Sequence, residues 1–219
     1  MIITYHGHSC FKLKGKDSSV VMDPFSGVGF TMPNLSADIV TVSHDHYDHN
    51  NVAGVSGTAR REKPFVINNL GEYEVGGTSV FGTRSFHDDQ QGVEKGPNRI
   101  FTVVIDGIRV CHLGDLGHEL DEDAINEIGS IDVLLVPVGG FYTINAKQAV
   151  AVAKALEPSY VVPMHYKTDA HDQSKFGELQ AVEDFMKEFG SEKIERLDKL
   201  KVEKERLPEE KELVILDRT

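Results

Sequence analysis

The segment from position 43 to 50 reads SHDHYDHN and places His44, His46 and His49 within six residues, beside Asp45 and Asp48. The chain has ten histidines in all, so one loop takes three of them. Imidazole and carboxylate are the N and O donors that zinc-like divalent ions accept, and their crowding here points to metal binding. The loop directly follows the apolar run ADIVTVS. Residues two apart on an extended chain point the same way, so His44 and His46 can reach one ion together. Asp48 and His49 come after the chain has turned and can face a second ion. Two ligands per ion are too few where four or more positions have to be filled, so further donors must come from elsewhere.

Three later positions can supply them. His87 closes TSVFGTRSFH, Asp115 closes IRVCHLGD, and His165 follows SYVVPM, each just past an expected strand. Taken singly, each has a plainer reading: a surface-loop histidine, a turn aspartate, a core histidine. Strand ends converge on one edge of packed sheets, where active sites are commonly built. All three at such ends, together with the histidine loop, favour one shared site.

The elements that must hold these residues are mostly short strands. MIITYHG, SCFKLKG and SSVVMDPF read as a meander broken at Gly7 and around residues 15–17. ADIVTVS, KPFVINN and TSVFGTRSF follow, and RIFTVVIDGIRVCHLGD reads as a hairpin turning at Asp106-Gly107. IDVLLVPV and YVVPMHY are buried strands and KELVILD is a final one. A short helix is expected from Glu122 to Ile128. NAKQAVAVAKALEP is helical, with Asn145 and Gln148 as a capping box and Pro158 as the stop. FGELQAVEDFMKEFG is expected as one helix ending at Gly190, with Phe176, Leu179, Val182, Phe185, Met186 and Phe189 as its core stripe. The charged stretch from Glu192 to Lys211 reads as a solvated hairpin or loop. This order predicts an α/β fold of sheets packed together with helices outside, and residues 1–219 as a single domain.

Composition narrows the function. With 23 Lys and Arg against 35 Asp and Glu, the formal charge is −12, which disfavours a general nucleic-acid binder. Cys10 and Cys111 are the only cysteines, expected as reduced core residues. No stretch approaches the ~20 apolar residues of a membrane span, and the N-terminus has no export signal, so the expected compartment is the cytoplasm.

HDHYDH, His87, GD at 114–115 and PMHY at 163–166 together resemble the metallo-β-lactamase superfamily. YHGHSCF, MDPF, CHLGDLGH, PVGGFYTINA and VVPMHY are similar to its compact hydrolases, in the branch of ascorbate-phosphate lactonases and N-acyl-phosphatidylethanolamine phospholipase D. The resemblance implies that His44, His46 and His87 hold one metal and Asp48, His49 and His165 a second, with Asp115 bridging. It implies an αββα sandwich, two mixed sheets face to face with helices on both outer sides. The cofactors would be two divalent ions, most simply zinc, with manganese, iron or nickel also suited to the donors.

Two ions sharing an oxygen would lower the pKa of bound water and yield a hydroxide near neutral pH, with Asp48 as proton handler. Asp23, at a strand end, is expected to anchor a ligand imidazole, and His8 to act likewise. His112 is expected as a buried, satisfied histidine; His6, His118 and His171 have no assigned role. The polar segment 88–98 should border the site, and Phe141 and Tyr142 in the 139–145 segment should line its opposite wall. Oxygen-reducing di-iron relatives carry Glu at the position of His46, and glyoxalase II relatives end in a helical extension, so both readings are disfavoured. A hydrolase of a small ester, lactone or phosphoester leads. A nuclease or phosphodiesterase acting on nucleic acid, and a non-catalytic metal-binding protein, are the alternatives. Homo-oligomer formation stays open.

Overall fold

The computed structural model of the protein describes residues 1–190 and 194–219. Strands β1 (Ile2–Gly7), β2 (Cys10–Lys14) and β3 (Ser19–Met22) form the expected meander. β4 (Leu35–Ser36) precedes β5 (Ile39–Thr41), and β6 (Val55–Ser56) precedes β7 (Phe65–Ile67). β4 and β6 pair only with each other. β8 (Gly71–Val75) leads into β9 (Thr78–Phe86), β10 (Pro97–Ile105) and β11 (Ile108–His112). Then come α1 (Glu122–Ile128), β12 (Val133–Pro137), α2 (Ala146–Leu156), β13 (Tyr160–Met164), α3 (Gln173–Phe176) and α4 (Val182–Phe189). β14 (Ile194–Leu197), β15 (Leu200–Lys201) and β16 (Glu212–Leu216) close the chain.

Two mixed sheets result, in the orders β15-β1-β2-β3-β5-β7 and β14-β16-β13-β12-β11-β10-β9-β8. They share one apolar core, to which the first sheet gives Phe11, Leu13, Val20 and Ile39 and the second Val80, Phe101, Val110 and Leu135. The period of two then puts Cys10, Val21 and Val40 on the outer side of the first sheet. There they pack with Phe25, Val28, Leu35 and Val55 in a second cluster. α2 packs on β12 and α4 on α2, beside the second sheet. The outer side of the first sheet is covered by segments around 25–37 and 52–55, with Phe176 of α3 and Leu179 just after it. The arrangement is a sandwich of mixed sheets with few helices, as expected.

Strand directions decide where the site forms. β1, β3 and β5 run the same way, because β2 is antiparallel to both β1 and β3 and β3 is parallel to β5. In the second sheet β9, β11, β12 and β13 share a direction, since β10 is antiparallel to its two neighbours. Each sheet therefore delivers several C-terminal strand ends to one edge.

Local chemistry explains the elements that match. The hairpin pairs Ile105 with Ile108 around Asp106 (φ 52°) and Gly107 (φ 75°), both left-handed as a tight two-residue turn demands. Asn145 and Gln148 form the reciprocal capping box that starts α2.

Other elements differ. The helix expected over 176–190 is broken: α3 ends at Phe176, a turn follows, and α4 starts only after Ala181, which is extended where it bridges Lys167. Gln180 also donates its N–H to Gly139 O. The apolar stripe divides accordingly: Phe176 and Leu179 join the outer cluster, Val182 and Phe185 the main core. Within the stretch expected as a solvated hairpin, β14 pairs with β16 and β15 with β1, in different sheets. Glu192 and Lys193 lie outside the described residues. The 88–98 segment is shorter than expected, because Pro97 and Asn98 already belong to β10. Cys10 and Cys111 are free and buried.

Asp38, between β4 and β5, is a polar tie inside this framework. Its buried carboxylate accepts from Ser19 N and Oγ (2.8 Å each), from Thr58 Oγ1 and from Arg60 (2.8 Å). Burial pushes the carboxyl up, but the hydrogen bonds from Arg60, Thr58 and Ser19 outweigh it and hold it at about 2. A folded value below the ordinary carboxylate value of about 4 means the stabilisation is complete above pH ~4 and is lost as pH falls through ~2. Asp38→Asn should cost about 1–2 kcal/mol at neutral pH, discounted because Arg60 is half-exposed and screened. Urea midpoints of the two proteins should differ at pH 7, and the difference should shrink as pH falls from about 4 towards about 2. A difference independent of pH would show that the charge is not what matters.

Candidate metal centre

His8 follows β1, Asp23 follows β3, and the histidine loop follows β5, all on one edge of the first sheet. His87 follows β9, Asp115 lies three residues past β11, and His165 follows β13, on the corresponding edge of the second. The geometry brings all nine of these sequence-nominated residues, His44, His46, Asp48 and His49 included, to one place between the sheets.

Asp115 is at its centre. Its Oδ2 lies 3.2 Å from Nε2 of His87, 3.2 Å from Nε2 of His165, 3.3 Å from Nε2 of His49 and 3.9 Å from Nε2 of His44. His44, His46 and His87 can each offer a donor atom within 4.8 Å of the others, and His8, Asp48, His49 and His165 do the same. His46 is exposed and Asp48 half-buried, while the other donors are buried.

Asp23 anchors two imidazoles. His49 Nδ1–H donates to its Oδ2 (2.9 Å), and so does Ser43 Oγ–H (2.5 Å). Ser43 Oγ in turn accepts from His44 Nδ1–H (2.9 Å), and Ser43 N–H donates to Asp23 Oδ1 (2.8 Å). A carboxylate only accepts, so the relay assigns the proton to Nδ1 on both histidines and leaves both Nε2 lone pairs facing the site. His8 Nε2–H donates to Asp48 Oδ2 (3.2 Å). His112 is satisfied as expected, donating to Ser9 O (2.8 Å) and accepting from Gly114 N–H (3.0 Å).

Fully buried acceptors are left without hydrogen-bond partners at the centre, namely His44 Nε2, His49 Nε2 and Asp115 Oδ1. Such atoms cost about 1–3 kcal/mol each unless something satisfies them. Divalent cations would satisfy them, and the N and O donors suit such ions. The electrostatics agree. Burial pushes His44 well below its ordinary value, reinforced by His49, so it is a neutral ligand. Burial also lowers His49, but Asp115 and Asp23 outweigh it and draw a proton there, as they would draw a cation. Burial would raise Asp115, yet His165 and His49 hold it well below the carboxylate range.

Backbone strain collects here. His8 (φ 56°), Asp23 (φ 45°) and His165 (φ 53°) are left-handed without being glycine, a cost tolerated where function requires it. Close approach collects too: a Cβ on Gly117 would lie 2.3 Å from His87 backbone atoms, and one on Gly139 would lie 2.1 Å from His165 O. Both glycines let the ligand-bearing segments pack together.

A cavity of ≈ 750 Å³ opens above the cluster. Tyr142 lines it, as do Tyr47, Glu94, Lys95 and Lys175. Phe141, expected on the same wall, is 54% exposed and does not line it; its ring packs edge-on against Tyr142. The 88–96 loop is held by one residue. The Asp88 carboxylate accepts from the backbone N–H groups of Gln90, Gly92, Glu94 and Lys95 at 2.7–3.0 Å.

Comparison with known proteins places this geometry. The beta-lactamase superfamily domain model matches residues 2–165, the span that holds every nominated residue. The chain belongs to the metallo-β-lactamase superfamily. Among curated relatives, a UPF0173 metal-dependent hydrolase of Thermoplasma volcanium is 32% identical over 76% of this chain and 83% of its own length. A second UPF0173 metal-dependent hydrolase, of Methanoculleus marisnigri, is 33% identical over 77% of this chain and 82% of its own. Among solved structures, a Thermotoga maritima protein described as a candidate Zn-dependent hydrolase of this superfamily superposes with a TM-score of 0.80. It is 40% identical, over 98% of this chain and 97% of that one. This chain is thus a member of a family of metal-dependent hydrolases, and among its described residues no helix is long and apolar enough to cross a membrane.

The sequence reading missed Ser43, whose hydroxyl completes the relay, and Asn98, whose Oδ1 accepts from Asp115 N–H (3.1 Å). Ser43 stands beside His44 and could have been suspected as a second anchor. Asn98 carries no local signal, since its partner is 17 residues away.

Proposed function

We propose that the protein is a dinuclear metal hydrolase acting on a small ester, lactone or phosphoester. His44, His46 and His87 would hold one ion, Asp48, His49 and His165 the other, and Asp115 would be shared. Zinc suits these donors, and manganese, iron or nickel are further candidates. The observation that carries this reading is Asp115 Oδ2 lying 3.2 Å from both His87 and His165, one from each ligand set.

When bound, the ions supply Lewis acidity and a water of lowered pKa. The chain's residues do the rest. Asp23 orients His49 and, through Ser43, His44. Asp48 is the group placed to take and return a proton, because it is half-buried beside the cavity rather than enclosed. Burial raises its carboxyl, but the His8 hydrogen bond and the His49 charge outweigh this and keep it ionised. Asp48 would take the proton that the attacking water gives up and pass it to the leaving alkoxide. Residues 1–219 act as one domain in this reading, since β14 to β16 complete both sheets.

Metal-stripped protein titrated with zinc should bind about two ions per chain, and hydrolysis across a panel of lactones, thioesters, phosphomonoesters and phosphodiesters should appear only with metal. Binding of a single ion would defeat the dinuclear reading. No turnover on any member of the panel by loaded protein would defeat the hydrolase reading.

A further inference from the structure

Two lysines stand at the mouth of the cavity, on segments brought in from different parts of the chain. Lys95 comes from the 88–96 loop and Lys175 from α3. Among the described residues neither forms an ion pair. Each is instead set over an aromatic ring. Lys95 Nζ lies 6.0 Å from the Tyr142 centroid, and Lys175 Nζ lies 5.1 Å from that of Tyr47.

The pair is built into the rim rather than scattered on it. Lys95 N–H donates to Asp88 (2.7 Å), and Lys95 Nζ donates to Tyr142 O (2.9 Å). Tyr142 O–H donates to Lys175 O (2.8 Å). Tyr142 thus ties the loop that carries one lysine to the helix that carries the other. Of the carboxylates that line the cavity besides Asp115, Asp45 accepts from Asn50 Nδ2 (2.5 Å), Glu94 from Gln90 Nε2 (2.7 Å) and Asp48 from His8 Nε2 (3.2 Å).

Neither ammonium has a carboxylate within ion-pair distance among the described residues, Asp172 acting on Lys175 only through space, so both keep N–H donors for an anion that enters the cavity. One hydrogen on each is the least a bound anion would use, since an ammonium carries three donors. We propose that Lys95 and Lys175 form an anion subsite, and that the substrate carries a carboxylate or phosphate remote from the bond that is broken. The proposal rests on the hydrolase reading for the place of the reaction, and names the substrate class for it. Binding a remote anion at the rim would orient the scissile group over the ligand cluster. It would also steer an anionic substrate past an otherwise repelling surface.

Binding of linear monocarboxylates, measured by calorimetry on the metal-loaded protein, should be compared with dicarboxylates and ω-phosphonocarboxylates of the same lengths. One carboxylate is common to each set, so the second anion alone is read. For at least one length the second anion should tighten binding about tenfold or more. The arm that gains more tells carboxylate from phosphate. Lys95→Met with Lys175→Met, which keeps the side-chain stems, should reduce the gain to about twofold or less. Monocarboxylate binding should stay unchanged, and the corresponding Arg pair should restore the gain. No gain in the native protein, or a gain that survives the Met pair, would overturn the subsite. Turnover of matched neutral and anionic esters separates the two readings. Hydrolysis with equal kcat/KM for both sinks the subsite alone. A preserved binding gain without hydrolysis of any ester sinks the hydrolase reading alone.

Discussion

Asp115→Asn is expected to lower kcat/KM by roughly a thousandfold or more, the scale on which a single charge-stabilising group acts in a water-excluded site. It should also strip the protein of at least one ion. The carboxylate is buried, and its Oδ2 faces the Nε2 atoms of His87, His165 and His49 within 3.3 Å. An amide of the same shape keeps the packing but removes the negative charge. Its NH2 group would donate to the very lone pairs that a cation needs. Metal affinity should therefore fall by more than the ~10–100-fold typical of losing an outer anchor. Folding should change little, because Asp115 N–H remains held by Asn98 Oδ1 and the residue's volume is conserved. Bound metal after desalting, steady-state kinetics and far-UV circular dichroism on the same preparation check this. A folded Asn variant that retains two ions and native turnover would remove Asp115 from its shared position.

The site could be read from the chain because its residue types are costly to place together without purpose. Six imidazoles and three carboxylates gathered between two sheets would be penalised by desolvation unless a cation joined them. Their positions were legible because β9 ends at Phe86, β11 at His112 and β13 at Met164, each with a donor just beyond. The hairpin at Asp106-Gly107 and the Asn145 cap were legible because both are local, set by residues within a turn of each other.

What stayed hidden is set by tertiary pairing. β8, GEYEV, alternates exposed Glu72 and Glu74 with the more buried Tyr73 and Val75, but the pattern is too short to stand out in the chain, and the strand exists as an edge partner of β9. α3 and α4 are separated by a turn and by Ala181, extended where it pairs with Lys167, although the apolar spacing from Phe176 to Phe189 runs through the break. Gly117 and Gly139 read as ordinary loop glycines until the backbones of His87 and His165 lie against them. Lys95 and Lys175 are 80 residues apart, and Tyr142, far from both in sequence, bonds to each of their segments.

Asp23→Asn should weaken both ion positions at once, by about 10–100-fold each, although Asp23 occupies only an outer place in the scheme. Its carboxylate accepts three hydrogen bonds, from Ser43 N–H, Ser43 O–H and His49 Nδ1–H. An amide has one acceptor oxygen, so at least one of these partners would meet an N–H instead. If the oxygen stays with Ser43 N–H, the amide NH2 faces both Ser43 Oγ and His49 Nδ1. His49 then loses its fixed tautomer, and His44 loses its own through Ser43. The buried His49 N–H left unpaired should also cost about 1–3 kcal/mol of stability. Ser43→Ala separates the branches, because it removes the link to His44 and leaves His49 on Asp23. Zinc titration by calorimetry should show both binding steps weakened in Asp23→Asn and only one in Ser43→Ala. Equal weakening of both steps in the two variants would mean that the positions are coupled through Asp115 rather than anchored separately. Undiminished affinity in Asp23→Asn would mean that the sheets alone hold the imidazoles in place.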